Sequence, residues 1–307
     1  MKSVDLGGAL QGLRPLEPDD LERYKEAVVV GQQVGFGYYF PGLLTKSRPG
    51  ASEILIGQDN DSLCLFRWSN KGREPRLDVL FAPMPLDLSV LQRCIERANQ
   101  FNGNRKARIL RIDEKDTDLI AGVPRISVRK RRPQYLYNPD SFQELSGRKF
   151  RTIRRNVSRI EALSGVHVEP YKAEHYDACF GLLKRWREHH RTMHGTQGGY
   201  GTSRRLLGLA ESLAAPDMLG EIVIIEDKVA AFAFGGEIRP GVGAFLEAKS
   251  DPMIPGLSYF QRYSFLRKQN RFALINDGSD TGREGLRQLK ESLRPVGMHT
   301  EFSGAQA

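Results

Sequence analysis

Residues 221–250 read EIVIIEDKVAAFAFGGEIRPGVGAFLEAKS, and their pattern decides the fold class. Two apolar runs, 221–226 and 228–238, flank a turn at Asp227, which is a β-hairpin signal. A third run, 243–250, predicts a strand, residues 258–269 a helix and residues 272–276 a further strand. The first half of the chain follows the same order in different residues. Residues 53–68 alternate around Asp59-Asn60-Asp61, 76–81 predict a strand, 88–102 an amphipathic helix ending near Gly103, and 107–112 a strand. Two units of this kind suit 307 residues, more than one ordinary core organises. The expectation is therefore an α/β chain of two tandem units, a first domain of residues 1–134 and a second of 135–307 that carries the candidate site. The join falls where Arg129-Lys-Arg-Arg-Pro133 and Asn138-Pro139-Asp140 interrupt the pattern, with 134–137 as a candidate bridging strand.

With 40% apolar residues and a mean hydropathy of −0.44, the chain has the composition of a globule with a sizeable core. Its longest apolar stretches, 28–30, 222–225 and 229–234, fall far short of the roughly 20 residues that span a bilayer. Residues 1–10 lack the basic, apolar, small-residue order of a signal peptide. A cytoplasmic location without an integral membrane segment is expected. Cys64, Cys94 and Cys179 stand alone, which reads as buried apolar packing and not as a redox pair, a zinc site or a disulfide framework.

The net charge of +9 is concentrated. Residues 125–159 hold eleven Lys or Arg and two acids, a local charge of +9, and bases and acids cancel elsewhere. Such a patch implies a polyanionic partner. Within it, residues 148–163 predict a helix with Phe150, Ile153, Val157 and Ile160 on one face and Arg148, Arg151, Arg155 and Arg159 in a stripe opposite. Like charges at this spacing cost about 0.2–0.5 kcal/mol per pair, and no acids interleave. A solvated face is the bland alternative, and a membrane-surface helix is opposed by an apolar face that lacks tryptophan and is needed for the core. The stripe, with Arg154, is the candidate phosphate-binding surface.

Residues 272–290, FALINDGSDTGREGLRQLK, run from a strand through a glycine-bearing loop into a helix. Thr281 and Glu284 predict a capping box, and the helix N-terminus would aim backbone N–H groups at an anion or a developing oxyanion. Asp280 either orients or deprotonates an amine or only stabilises the turn. Arg287 and Lys290 either anchor a carboxylate or phosphate or face solvent. Glu247 lies in an otherwise apolar strand, where alternation places Phe245, Glu247 and Lys249 on one face. It reads either as a base with a pKa raised by burial or as a structural partner for an arginine. His189, His190 and His194 accompany no HExxH pattern, so no metal is expected. Neither a GxSxG elbow nor a GxxxxGK[ST] loop occurs.

These residues resemble a known family, the phosphatidylglycerol lysyltransferase C-terminal-domain-like proteins. Tyr135-Leu-Tyr137 followed by 145–156, LSGRKFRTIRRN, is similar to the family's aromatic segment, L-x-G-K-K and K-R-N stretch. Leu246-Glu-Ala-Lys249 resembles its H-x-E-K strand, with Phe245 in place of the histidine. Asn276, Asp280, Gly282, Gly285, Leu286, Arg287, Lys290 and Pro295 fit its N-x-x-x-D-x-G-x-x-G-L-R-x-x-K-x-x-x-x-P signature, with Gly278 where an acid or amide is usual.

The resemblance implies two tandem acetyltransferase-like (GNAT-like) units and aminoacyl transfer from aminoacyl-tRNA to an amine or hydroxyl of a small-molecule or lipid-head-group acceptor. It implies Glu247, Asp280 and Asn276 as catalytic candidates, and Lys249, Arg287, Lys290, Gly282 and Gly285 as substrate-binding ones. Arg148, Arg151, Arg154, Arg155 and Arg159 are the tRNA-binding candidates, and no cofactor is required. Two further readings remain at this stage. One is a coenzyme A-dependent N-acyltransferase, opposed by the loop 251–258, whose two prolines remove backbone donors that a pyrophosphate would use. The other is a non-catalytic RNA-binding protein, opposed by the combination of Glu247, Asn276 and Asp280.

Overall fold

The computed structural model describes residues 8–70, 74–103, 106–195 and 199–306. Residues 1–7, on which most of the signal-peptide reading rests, lie outside them. The chain divides into two compact units, Met1–Pro133 with His299–Ala307, and Gln134–Met298.

The first unit is built on strands β1 (Arg14–Pro15), β2 (Ser52–Asp59), β3 (Ser62–Ser69), β4 (Arg76–Phe81), β5 (Arg108–Ile112) and β6 (Ile126–Lys130). Its helices are α1 (Leu21–Val30), α2 (Phe40–Leu44), α3 (Leu88–Asn102) and α4 (Thr117–Ala121). The hairpin β2–β3 closes at Asn60, whose φ of 50° supplies the left-handed turn. Helix α3 begins where the Asp87 side chain accepts the Ser89 and Val90 N–H groups, and ends at Gly103 with φ 63°. Between these caps Val90, Leu91, Cys94, Ile95 and Ala98 pack on Leu77, Val79 and Ile109.

The second unit contains β7 (Gln134–Tyr137), β8 (His167–Pro170), β9 (Leu219–Ile225), β10 (Lys228–Arg239), β11 (Val242–Ser250), β12 (Leu274–Asn276) and β13 (Gly297–His299). Its helices are α5 (Arg151–Glu161), α6 (Tyr176–His194), α7 (Tyr200–Leu209), α8 (Leu257–Arg267) and α9 (Glu284–Ser292). The chain ends in β14 (Phe302–Gln306).

The two seven-stranded sheets run β1-β2-β3-β4-β5-β14-β6 and β8-β9-β10-β11-β12-β7-β13. Position by position they have one topology. Each has an antiparallel run, one parallel contact (β4 with β5, β11 with β12), and a strand from elsewhere in the chain inserted beyond it. The second unit takes that strand, β7, from its own start, and the first takes β14 from the C-terminus. The expected second domain of 135–307 is corrected accordingly: its last residues, His299–Ala307, belong to the first unit. The reason is backbone hydrogen bonding, because β14 pairs with β5 on one side and β6 on the other.

Two sequence expectations within the second unit change. The register of β10 against β11 shifts between Phe234 and Gly235, so that Leu246 is an extra, bulged residue between Phe245 and Glu247. Phe245 therefore packs in the core beside α8 (with Phe265 at 5.0 Å), while Leu246, Glu247 and Lys249 face α6 and α7. The simple alternation that placed Phe245 with Glu247 fails at this one residue. Gly235 permits the close approach, since a Cβ there would lie 2.2 Å from the Ala244 carbonyl oxygen. The capping box of Thr281 and Glu284 is absent: Thr281 adopts φ 54°, and α9 starts only at Glu284, with Arg283 as a cap whose side chain accepts none of the helix's first N–H groups.

Candidate functional site

The parallel pair β11–β12 is matched only from Val242↔Leu274 to Ala244↔Asn276. Beyond that point β12 turns into the loop 277–283 while β11 runs on to Ser250. The carboxyl ends of the two parallel strands thus part, and an opening at this position is the usual place for ligands in α/β sheets. The bulge at Leu246 turns Glu247 to the side of the sheet that α6 and α7 cover.

The loop is organised from within. Asn276, fully buried, donates to Gln134 Oε1 at 2.7 Å and accepts the Gly278 N–H at 2.9 Å. Asp277, 5% exposed, accepts from Arg262 Nε and Lys290 Nζ, both at 3.2 Å. Lys290 also donates to the Asp277 carbonyl and, at 3.1 Å, to the Gly278 carbonyl. Burial pulls its ammonium down to about 8, against the opposing attraction of Asp277. All of its donors are directed at the loop backbone and Asp277, so it serves the loop's shape.

Asp280 stands at the loop's outer end. It accepts from Arg287 Nε and the Gly282 N–H, each at 2.8 Å, and from the Tyr135 hydroxyl at 3.3 Å. The Arg287 hydrogen bond holds its carboxyl below the usual range, with burial opposing. Tyr135 is raised, first by burial and then by Asp280. Arg287 is half-exposed and also lies 3.6 Å from Glu284. Gly282 has φ 78°, a conformation that glycine adopts freely. Gly285 sits in the first turn of α9, exposed, with open space about it.

Across the opening, Glu247 accepts from Lys249 Nζ at 2.5 Å and from the Ser203 hydroxyl on α7 at 3.1 Å. The pairing has lysine where one of the two sequence readings named arginine. Lys249, 5% exposed, lies 4.3 Å from the Trp186 ring. Trp186 packs on His190 at 4.7 Å, and His190 Nε2 is 3.0 Å from Arg283 Nη1. Ser203, Glu247, Lys249, Trp186, His190 and Arg283 thus make one connected chain, and the Arg283 backbone N–H, donating to the Asp280 carbonyl at 3.0 Å, joins it to the Asp280–Arg287 pair. Sequence reading assigned no role to Asp277, Trp186, Ser203, Arg262 or Arg283. Trp186 and His190 carried a signal, as aromatic neighbours at helical spacing. Among the described residues no three His, Cys, Asp or Glu side chains are arranged to hold a metal ion; the His194 side chain lies outside the described ones.

The first unit has the same motif at the same place. Asp113 and Asp116 follow β5 as Asp277 and Asp280 follow β12. There, however, the acids grip the unit's own chain. Asp113 accepts the Val34 and Gly35 N–H groups at 3.3 Å each, and Glu301, paired with Arg111, accepts the Gly37 N–H at 3.1 Å.

On α5 and the short 3-10 turn Arg148–Phe150 that precedes it, Phe150, Ile153, Val157 and Ile160 are buried, while Arg148, Arg151, Arg155 and Arg159 are exposed and, among the described residues, have no ion pair. Arg154 differs: it donates to the Leu145 and Gly147 carbonyls and fastens the turn before the helix. In the loop 251–258, the Asp251, Met253, Ile254 and Leu257 N–H groups bond within the chain, and Pro252 and Pro255 have none.

Two units with this strand order define a tandem acetyltransferase-like protein. The fold is similar to that of a tandem GNAT protein from the clavulanic acid biosynthesis pathway, with 9% identity, a TM-score of 0.51 and coverage of 96% of this chain and 98% of that one. It is also similar to a conserved protein of unknown function from Bacteroides thetaiotaomicron (20% identity, TM-score 0.80, covering 96% and 99%). A third likeness is to L-PGS from Bacillus licheniformis (16% identity, TM-score 0.66, covering 95% and 93%). No curated protein has significant sequence similarity to the chain. The chain belongs to the family described as phosphatidylglycerol lysyltransferase, C-terminal, whose model matches residues 79–302.

Proposed function

We infer that the chain is an acyltransferase that moves the aminoacyl group of an aminoacyl-tRNA to an amine or hydroxyl of a small-molecule or lipid-head-group acceptor. The observation that carries this reading is the connected polar chain at the parting of β11 and β12, in a member of this family. The acceptor's lone pair forms a bond to the ester carbonyl carbon, the bond to the ribose oxygen breaks, and the acceptor's proton ends on that hydroxyl. A carboxyl held low by Arg287 is a weak base, so Asp280 orients while Glu247, the more accessible acid, handles the proton. Lys290 and Asn276 hold the loop that presents Asp280 and Arg287, and Lys249 aligns Glu247. Positioning and stabilisation of the developing oxyanion supply most of the rate, and no cofactor enters.

Coenzyme A-dependent transfer is disfavoured by the loop 251–258, in which Pro252 and Pro255 carry no N–H and those of Asp251, Met253, Ile254 and Leu257 are engaged. Among the described residues no helix is long and apolar enough to cross a membrane. Incubation with radiolabelled aminoacyl-tRNAs and a cell extract is expected to release label from tRNA into an acceptor. Saturable acetyl-coenzyme A binding without tRNA binding would reverse the choice.

The exposed stripe on α5 is assigned to tRNA phosphates. Each lost phosphate contact lowers the slope of log K against log salt by about 0.9. The double change Arg151→Ala with Arg155→Ala is therefore expected to weaken tRNA binding and flatten that slope by roughly 1.8 in filter binding across a salt series. An unchanged slope would leave the stripe as a solvated face.

A further inference from the structure

Helices α6 and α7 carry a second basic surface that the chain's overall charge conceals. Between residues 180 and 209 stand Lys184, Arg185, Arg187, Arg191, Arg204 and Arg205 against one acid, Glu188. Glu188 pairs with Arg191 at 2.6 Å, and Arg185 lies 3.9 Å from Asp251. Three others lie over aromatic rings instead. Lys184 Nζ is 4.4 Å from the Phe180 ring, the Arg204 guanidinium 5.5 Å from the same ring, and the Arg187 guanidinium 4.4 Å from Tyr200. Among the described residues none of these three has an ion pair. Phe180 stacks with Tyr176 at 6.0 Å and lies 6.5 Å from Tyr200, so the half-buried rings form a row.

This combination has a definite ligand chemistry. Phosphates want unpaired cations, and unpaired bases want aromatic or guanidinium planes to stack on. A guanidinium over a ring has a further face on which a base can stack. A duplex offers no free base faces, and a membrane surface would call for protruding apolar side chains. On these helices Met193 is the large apolar side chain, among the described ones, that protrudes. The row also adjoins the opening: Ser203 of α7 bonds Glu247, and Trp186 of α6 carries Lys249.

We propose that the α6–α7 face is a stacking platform for the single-stranded 3′ end of an RNA, with the Arg187–Tyr200 and Arg204–Phe180 pairs under the terminal bases and Lys184 on their phosphates. It rests on the aminoacyl-tRNA reading, and it divides the labour: α5 takes the paired stem and α6–α7 the unpaired end that bears the ester.

The test uses the full chain and a tRNA with 2-aminopurine as its terminal base, whose fluorescence falls on stacking. The wild type is expected to quench it, Tyr200→Leu to lose most of the quenching, and Tyr200→Phe to keep it. Arg187→Gln with Arg204→Gln is expected to weaken intact tRNA about tenfold and to leave binding of a tRNA lacking its last three nucleotides unchanged. Equal weakening of intact and truncated tRNA, or quenching that survives in Tyr200→Leu, overturns the platform while the tRNA reading stands. Absence of tRNA binding by the wild type overturns both. Loss of binding to phosphatidylglycerol vesicles in the arginine variants, with tRNA binding intact, overturns the platform in favour of a membrane surface.

Discussion

Asp280→Asn slows aminoacyl transfer by about a hundredfold, with a change in tRNA affinity of less than about threefold. The asparagine oxygen can still accept the Gly282 N–H, so the loop keeps its shape. What is lost is the charge that fixes Arg287, since a neutral amide replaces one half of a 2.8 Å ion pair. Arg287 is half-exposed, and in the proposed reading its guanidinium, once released, would no longer meet the ester in one orientation. An interaction needed only as the carbonyl is attacked appears in the transfer rate and not in binding. Single-turnover release of label from saturating aminoacyl-tRNA, beside filter binding, separates the two quantities. Equal losses in both would move Asp280 from the reacting centre to RNA binding.

Asp277→Ala destabilises the second unit by about 3–5 kcal/mol. The carboxylate is 5% exposed, Lys290 is 2% exposed, and Arg262 is its other partner, so truncation leaves cationic groups buried without their counter-charge. Lys290 keeps the Asp277 and Gly278 carbonyls, which are dipoles and do not neutralise it. Lys290→Met in the same chain removes one stranded charge, so the double variant is expected to recover part of the loss, as buried pairs do when both members become apolar. Urea unfolding of the three proteins measures this. A loss below about 1 kcal/mol in Asp277→Ala would mean that water reaches the pair and that its burial has been overstated.

The layout of strands and helices was legible because most elements here carry their own period. The hairpin turns at Asn60 and Asp227, the end of α3 at Gly103, and the apolar face of α5 are all local, and each formed where alternation, turn residues or helical spacing placed it. The internal repeat was legible as an order of elements, since both units must bury a sheet face in the same way. The repeated Asp-x-x-Asp after β5 and β12 was present in the text but meaningless until the two strands were seen at one position of one topology.

By itself, then, the sequence determined the two α/β units, the exposed arginine stripe, and the loop and following helix that carry Asp280 and Arg287. These depend on residues near one another in the chain, or on a family signature that spans few residues. Tertiary structure decided the rest. Whether β14 closes the first sheet depends on which strand edge is free, and one-residue bulges such as Leu246 arise from a mismatch between two strands that neither strand records alone. The pairing of Asp277 with Lys290 and Arg262, of Glu247 with Lys249 and Ser203, and of cations with rings on α6 and α7 joins residues that only packing brings within reach. A charge's role is set by its nearest partner and its distance from water, and neither is a property of sequence position.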